Sequence, residues 1–294
     1  MSGAAIAPLR VGVVGLGVMG RRHATALGTL DGVTYVGAVD HSGPRQELGR
    51  PVLADLDDLL ALGLDACVVA TPTPDHVRTA TALAEAGIPT LVEKPLAMDP
   101  AECEQIMATF DTAGVLAVVG HLERFHTAVR DLRLALLSGD LGAVVEVSTR
   151  REGGPPRRRD GGVLLDLGTH DFDLTRWLTG QRHDRLLASP ADGAPGSEAA
   201  LVTATLSGGA EATHRLSWRA PHPARTIEVR TAGGLLVADT SDPGPLPPVP
   251  TQLRCFADLV HGRRDPADPL SCASLADGAY AVSVATRASQ SLSG

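Results

Sequence analysis

A carboxylate and an imidazole in the middle of the sequence have the spacing of a catalytic pair. Asp166 and His170 are four residues apart in a segment predicted to be helical, so they share one helix face. A carboxylate can hold an imidazole in orientation while the ring takes a proton from a substrate hydroxyl. A helix-start aspartate followed by a core histidine has the same spacing, so the pair alone leaves both interpretations open.

A glycine-rich turn near the start of the chain predicts a dinucleotide site. The G-x-G-x-x-G pattern of Gly15, Gly17 and Gly20 follows an apolar strand and opens a helix. In such a turn the first glycine permits the tight bend and the second lets the pyrophosphate approach the backbone. The third lets the helix pack on the sheet, and the free N–H groups of the helix bind the phosphates. The adjoining predicted contacts are Val18 and Met19.

An acidic residue ends the second predicted strand. Asp40 follows Gly20 by twenty residues, where a carboxylate binds the adenosine ribose hydroxyls. It would repel a 2′-phosphate, so we expect NAD as the cofactor. His41, Ser42 and Arg45 lie nearby and keep NADP as the alternative.

Two further loops follow predicted strands and would lie over the cofactor crevice. One contains Thr71, Pro72 and His76, which we predict as cofactor contacts, although His76 also suits a helix surface. The other is Glu93-Lys94-Pro95, and both Glu93 and Lys94 are predicted cofactor contacts. A lysine there can stabilise a carbonyl or alkoxide oxygen. A solvated lysine at a strand end is the alternative.

The order of the predicted elements indicates two domains. Strands and helices alternate over the first part of the chain, which predicts a Rossmann domain with a doubly wound parallel sheet at residues 1–121. Helices near 125–137 and 163–178 and hairpin-type strands between 199 and 238 predict an α+β domain at 122–294. Its sheet should be open and mixed, mainly antiparallel. The predicted fold class is α/β.

Composition excludes several classes of protein. The 294 residues carry a net charge of −8 without a broad basic face, so we expect no nucleic-acid partner. No apolar run has membrane-spanning length, and residues 1–8 lack the features of a signal peptide. The four cysteines form no C-x-x-C pair and none has zinc-type spacing to a histidine. We therefore expect no metal, no membrane association and a cytoplasmic location.

Taken together, these motifs resemble the glucose-fructose oxidoreductase / inositol dehydrogenase / rhizopine catabolism (Gfo/Idh/MocA) family over nearly the whole chain. The residues that carry the resemblance are Gly15–Gly20, Glu93-Lys94-Pro95, Gly120–Phe125 and Gly162–Asp171. The segment that would form the second Rossmann helix, near Ser42–Gly49, is shorter than the family pattern.

The resemblance implies a catalytic set of Lys94, Asp166 and His170. It also implies a homo-oligomer, a dimer or tetramer, formed through the sheet of the second domain. The Gly120–Phe125 stretch and the loop at 153–157 are similar to sugar-nucleotide 3-dehydrogenases of the UDP-N-acetylglucosamine type. Predicted substrate contacts are Arg124, Arg157, Arg158 and His170.

The expected reaction is reversible hydride transfer between nicotinamide and a secondary alcohol of a sugar, sugar nucleotide or cyclitol. His170 would act as general base, Lys94 would stabilise the oxyanion, and Asp166 would orient them. One alternative is a hydrolase that cleaves glycosides through transient oxidation by tightly held NAD. Another is a non-catalytic dinucleotide sensor, although a sensor would not need all three side chains.

Overall fold

A computed structural model of the chain describes residues 7–154, 161–242 and 244–292. The described residues form two compact units. The first comprises those within Met1–Ala97, Ala101–Gly120 and Val249–Ala276, and the second comprises those within Met98–Pro100, His121–Pro248 and Asp277–Gly294.

In chain order the strands are β1 (Leu9–Val14), β2 (Val33–Val39), β3 (Arg45–Glu47), β4 (Arg50–Leu53), β5 (Ala66–Val69), β6 (Thr90–Glu93), β7 (Ala117–Gly120), β8 (Val144–Glu152), β9 (His183–Pro190), β10 (Ala199–Leu206), β11 (Glu211–Ser217), β12 (Ala224–Thr231), β13 (Gly234–Asp239) and β14 (Ala273–Ser274).

The α-helices are α1 (Val18–Leu27), α2 (Leu56–Leu60), α3 (His76–Glu85), α4 (Pro100–Ala113), α5 (Thr127–Leu137), α6 (Thr169–Thr179), α7 (Pro248–Val260) and α8 (Leu275–Leu292). Single turns of 3₁₀-helix cover Thr73–Asp75 and Leu122–Phe125, and a π turn covers Leu164–Gly168.

The first unit contains an eight-stranded sheet in the order β14-β7-β6-β5-β1-β2-β4-β3. In this order, every neighbouring pair from β7 through β6, β5, β1 and β2 to β4 is parallel. All residues of β5 and β6 are buried, as expected for a sheet that is covered on both faces. The chain turns in opposite directions from β1, toward β2 and toward β5, which creates a crevice at the carboxyl ends of these strands.

Residues 42–49 form a hairpin strand and its turns, so the short helix expected there is wrong. β3 pairs antiparallel with β4, and the turn between them has φ of 53° at Leu48 and 68° at Gly49. Gly43 also has a left-handed φ, of 85°. A right-handed helix cannot include these conformations, whereas two successive positive φ values suit a tight hairpin.

A segment that follows the second sheet in sequence, residues 249–276, belongs to the first unit. β14 pairs antiparallel with β7, and the residues around it, 249–276, group with the parallel sheet. The predicted second domain, 122–294, includes this segment, so the predicted boundary differs from the observed grouping. Pairing between residues far apart in sequence leaves no local signal, which accounts for the difference.

The second unit contains a six-stranded sheet in the order β13-β12-β8-β11-β10-β9. β8 and β11 are parallel and all other pairs are antiparallel. Alternation along β12 buries Ile227 and Val229 and leaves Glu228 and Arg230 on the opposite face. The predicted fold class, a Rossmann sheet plus a mixed and mainly antiparallel sheet, is confirmed.

Within the described ranges, no helix combines the length and the apolar character that a membrane span requires. In the same part of the chain, His, Cys, Asp and Glu side chains form no group of three that could hold a metal ion.

Candidate active site

The turn between β1 and α1 has the geometry that a dinucleotide needs. Gly15 has a φ of 91°, and a Cβ there would lie 2.7 Å from the carbonyl oxygen of Ala70. A Cβ on Gly20 would lie 1.8 Å from the carbonyl oxygen of Gly15. A Cβ on Gly17 would meet no atom within 4 Å, so the backbone there borders open space. Because the turn is open where a pyrophosphate would approach, its residues fit NAD.

Asp40, directly after β2, holds this turn with both carboxylate oxygens. Its Oδ2 accepts the backbone N–H of Leu16 at 2.8 Å, and its Oδ1 accepts the backbone N–H and the hydroxyl of Ser42. Burial would raise the pKa of Asp40, but these hydrogen bonds outweigh burial and lower the pKa to about 2. Arg45 lies 3.6 Å from Oδ1 and also pairs with Glu47. Asp40 is therefore an anion at neutral pH, with one arginine beside it.

His76 joins the loops that follow β5 and β6. Its ring nitrogens lie 3.1 Å from the carbonyl oxygens of Leu96 and Thr71, and only 1% of its surface is exposed. Burial lowers the pKa of His76, although both hydrogen bonds favour the charged ring. The geometry therefore gives His76 a role in holding loops and does not support the predicted direct cofactor contact. Thr71 and Pro72 are half-buried in the same region.

Glu93, the last residue of β6, links α1 to the backbone of Lys94. Its Oε1 lies 2.6 Å from Nε2 of His23, and its Oε2 accepts the N–H of Lys94 at 3.1 Å. A Cβ on Gly120 would lie 3.0 Å from this carboxylate, so glycine makes room for it. Glu93 is 5% exposed, which favours a role in positioning the Lys94 backbone over the predicted cofactor contact. His23 is not among the predicted site residues, and the sequence feature that marks it is its place one turn after Gly20.

Asp166 and His170 lie on successive turns in the second unit. Asp166 is in the π turn, and His170 is in the first turn of α6. Both are half-buried. Single π turns within helices are rare and occur frequently at functional sites. Lys94, also half-buried, belongs to the first unit.

Arg124, predicted as a substrate contact, is buried against carboxylates. Its Nε donates to Asp173 Oδ2 at 2.8 Å, and its Nη2 donates to Oδ1 at 2.5 Å and lies 3.4 Å from Asp277. The guanidinium also stacks 5.5 Å from the centre of the Trp177 ring. Burial lowers the pKa of Arg124, but the charges and hydrogen bonds of Asp173 and Asp277 together outweigh burial and raise it. Arg124 thus holds α6 at Asp173, three residues after His170. This geometry does not support direct binding of substrate by Arg124.

Arg157 and Arg158, the other predicted substrate contacts, lie outside the described residues.

A buried hydrogen-bond chain ends at Asp171, the neighbour of His170. Thr149 donates to Asp171 at 3.0 Å, so it accepts from His214 Nδ1 at 2.8 Å. The remaining ring nitrogen of His214 must then accept from His183 Nε2 at 2.9 Å, and His183 Nδ1 accepts from Tyr280 at 2.8 Å. Every donor has an acceptor only when both histidines are neutral.

Burial favours that neutral state. It lowers the pKa of His183 to about 4, with a smaller contribution from Arg287, and it lowers the pKa of His214 well below its usual value. At neutral pH this chain of hydrogen bonds is therefore a fixed support for α6. It depends on the uncharged state of the His183 and His214 rings.

Comparison with known proteins identifies the family. Residues 9–121 match the model of the GFO/IDH/MocA oxidoreductase family, NAD-binding Rossmann fold, and residues 129–237 match the GFO/IDH/MocA C-terminal domain. A UDP-N-acetylglucosamine 3-dehydrogenase of Acidithiobacillus ferrooxidans is 32% identical over 233 residues, 75% of this chain and 71% of that protein. The chain belongs to the GFO/IDH/MocA family. This confirms the resemblance found from the motifs and the predicted NAD-binding Rossmann domain.

Other members of the GFO/IDH/MocA family extend the comparison. The myo-inositol dehydrogenase Hyg17 of Streptomyces leeuwenhoekii is 36% identical over 194 residues, which are 62% of this chain and 59% of that protein. The chain thus spans about three fifths of Hyg17. The solved structure of GenD2 from gentamicin A biosynthesis, in complex with NAD, has a TM-score of 0.83 and 25% identity, covering 98% of this chain and 95% of GenD2.

Proposed function

We propose that this chain is an NAD-dependent dehydrogenase. It transfers a hydride reversibly between nicotinamide and a secondary alcohol carbon of a sugar, sugar nucleotide or cyclitol. The observation that carries the proposal is Lys94. Of the 26 lysine and arginine residues in the sequence, Lys94 is the only lysine. It stands directly after β6, at the carboxyl edge of the NAD-binding sheet.

A single lysine in an arginine-rich chain points to chemistry that a guanidinium cannot supply. An ammonium is a compact point charge whose three donors can rotate onto one oxygen, whereas a guanidinium is a wide, planar fork. The Lys94 ammonium therefore suits an oxyanion at one carbon atom better than a phosphate or a carboxylate. The buried Glu93 carboxylate and His23 fix the backbone from which that side chain extends.

We assign the remaining steps to His170 and Asp166. His170 takes the substrate hydroxyl proton at a ring nitrogen, and Asp166 orients the imidazole. Nicotinamide, when bound, supplies the hydride acceptor or donor at its C4. The backbone at Gly17 and the carboxylate of Asp40 would hold the dinucleotide. We assign no step to a metal, because the ammonium and the imidazole cover the charge and the proton.

The proposed substrate class is supported by relatives and by a basic segment of the sequence. Relatives include a myo-inositol dehydrogenase and a UDP-N-acetylglucosamine 3-dehydrogenase. The sequence segment before the π turn contains Arg157 and Arg158, which we assign to an anionic group of the substrate, such as a diphosphate. Val18, Met19, Thr71 and Pro72 remain proposed cofactor contacts.

We further propose that the chain forms a dimer or tetramer through the open face of the second unit's sheet. The register from β9 to β13 runs through Leu187, Thr203, Thr213, Ser148, Glu228 and Val237, so these six residues share one face. Leu187 is 70% exposed and Val237 is 58% exposed. Apolar side chains on an uncovered sheet face favour association. The four cysteines, all within the described residues, are buried and form no disulfide, which also suits a cytoplasmic location.

A substrate panel tests the proposed activity. Sugars, sugar nucleotides and inositols are incubated with NAD, and the reduced nicotinamide is followed by its absorbance. One compound class should give net, stoichiometric NADH. Glycoside cleavage without net NADH would instead identify the hydrolase, and NAD binding without turnover of any compound would identify a sensor.

A further inference from the structure

An indole N–H contacts the proposed orienting carboxylate. Nε1 of Trp218 donates to Oδ2 of Asp166 at 3.1 Å. Trp218 directly follows β11 and is 3% exposed, so it lies within the protein and not at the surface. No sequence motif marks this tryptophan, because it is 52 residues away from Asp166.

The sheet fixes the position of this donor. The backbone N–H of Trp218 donates to the carbonyl oxygen of Glu198 at 2.9 Å, just before β10. β11 pairs with β10 on one side and with β8 on the other. The indole N–H therefore extends from an interior strand of the sheet, which is a rigid base for a functional contact.

This contact matters for orientation because Asp166 lies in the π turn. A carboxylate on an irregular turn can rotate about its side-chain torsions, and each orientation presents different oxygens to a neighbour. An indole N–H is a donor only and does not titrate in the neutral range, so it selects the same carboxylate orientation in every protonation state of the imidazole.

We propose that Trp218 is a positioning residue for hydride transfer. Its indole N–H holds Asp166 in the orientation from which the carboxylate directs His170. The proposal rests on the function proposed above for Asp166 and His170. Trp218, at the end of β11, thus acts in the reaction through Asp166.

Trp218→Phe tests this proposal, because it removes the N–H and keeps an aromatic ring. A hydrogen bond to a charged group typically changes an equilibrium by about ten- to a hundredfold, so kcat should fall by roughly that factor. The dissociation constant of NAD should stay within about threefold. Trp177→Phe is the matched control, since Trp177 is the other of the two tryptophans and is also buried. It should keep kcat within about threefold.

A double-mutant cycle with Asp166→Asn separates positioning from packing. If Trp218 acts through Asp166, Trp218→Phe should change kcat by less than about twofold in the Asp166→Asn background. An equal loss of kcat in both backgrounds, or unchanged kcat in Trp218→Phe alone, would overturn the proposal. Full turnover of Asp166→Asn itself would instead contradict the proposed function.

A spectroscopic measurement covers the case in which Trp218→Phe is unstable. In ¹⁵N-labelled protein with an otherwise native sequence, Asp166→Asn should shift the indole N–H resonance of Trp218 and leave that of Trp177 in place. An unshifted Trp218 resonance would show that the contact does not exist in solution and would overturn the proposal.

Discussion

The Nε2 atom of His23 lies 2.6 Å from Oε1 of Glu93, with both side chains buried. His23 is on α1, the helix that opens with the glycine turn, and Glu93 precedes Lys94. The second Glu93 oxygen accepts the Lys94 N–H. One carboxylate thus ties the dinucleotide turn to the only lysine in the chain.

Glu93→Gln should impair catalysis more than NAD binding. The amide keeps the shape of the side chain but weakens one or both contacts, so Lys94 loses its fixed backbone. Misplacing a catalytic group by about 1 Å can cost on the order of a hundredfold, and we expect kcat to fall at least tenfold. Glu104→Gln, on the exposed face of α4, is the control. A purely structural role would lower the melting temperature and leave kcat unchanged.

NAD(H) should bind more tightly than NADP(H). The low pKa of Asp40 keeps it charged at neutral pH, and its carboxylate would repel a 2′-phosphate. Calorimetric titration of both cofactors checks this expectation. Equal or tighter NADP binding would contradict it, and Arg45→Ala would then show whether the arginine 3.6 Å from Asp40 is responsible.

Stability should fall between about pH 6.5 and pH 4. The folded state holds His183 neutral with its pKa lowered to about 4, whereas the unfolded chain protonates this residue near pH 6.5. The unfolded state binds more protons in that window, so the contribution of His183 is complete above it and is lost as the pH falls. We expect a loss of about 2 kcal/mol in the free energy of unfolding from pH 7.5 to pH 5.

Urea unfolding at the two pH values measures this loss. His183→Gln should be less stable at pH 7.5 but should show a smaller dependence on pH. His222→Gln, at an exposed position, should keep the dependence of the native chain. Equal pH dependence of the free energy of unfolding in the native protein and both variants would contradict this expectation. It would show that the buried hydrogen bonds from Tyr280 to Asp171 do not keep His183 neutral.

Charges on the open sheet face should separate the subunits. Leu187→Asp and Val237→Asp would each bury a charge in the proposed interface, which is costly without a partner charge. The mass from light scattering should drop from that of a dimer or tetramer to a smaller species. Leu48→Asp is the control, because Leu48 is a similarly exposed leucine at 53% in the first unit. A native chain that is already monomeric would contradict the interface.

Sequence alone predicted features that depend on local pattern. The Gly15–Gly20 turn, the parallel strands of the Rossmann domain and the fold class followed from periodicity and from glycine spacing. The helix expected at 42–49 was wrong, because left-handed backbone at Gly43, Leu48 and Gly49 is a hairpin feature that hydrophobic periodicity does not report.

Contacts between residues far apart in sequence could not be predicted from local pattern. β14 and the pairing of Arg124 with Asp173 depend on residues separated by long stretches of chain. Arg124, His76 and Glu93 stand in motif positions, and only their burial distinguishes a side chain that supports the site from one that faces a ligand. The roles of Lys94, Asp166 and His170 stay predictions until they are measured.

The proposed roles of Lys94 and His170 are tested by comparing turnover with NAD affinity in Lys94→Ala, Lys94→Arg and His170→Ala. Loss of a general base or of a preorganised donor costs roughly a hundred- to ten-thousand-fold in rate. All three variants should lose turnover by about that much, including Lys94→Arg, which keeps the charge but not the compact ammonium. Their dissociation constants for NAD should stay within about threefold of the native value. Native turnover in any of these variants would contradict the role of that residue, and loss of NAD binding would assign it to holding the cofactor instead.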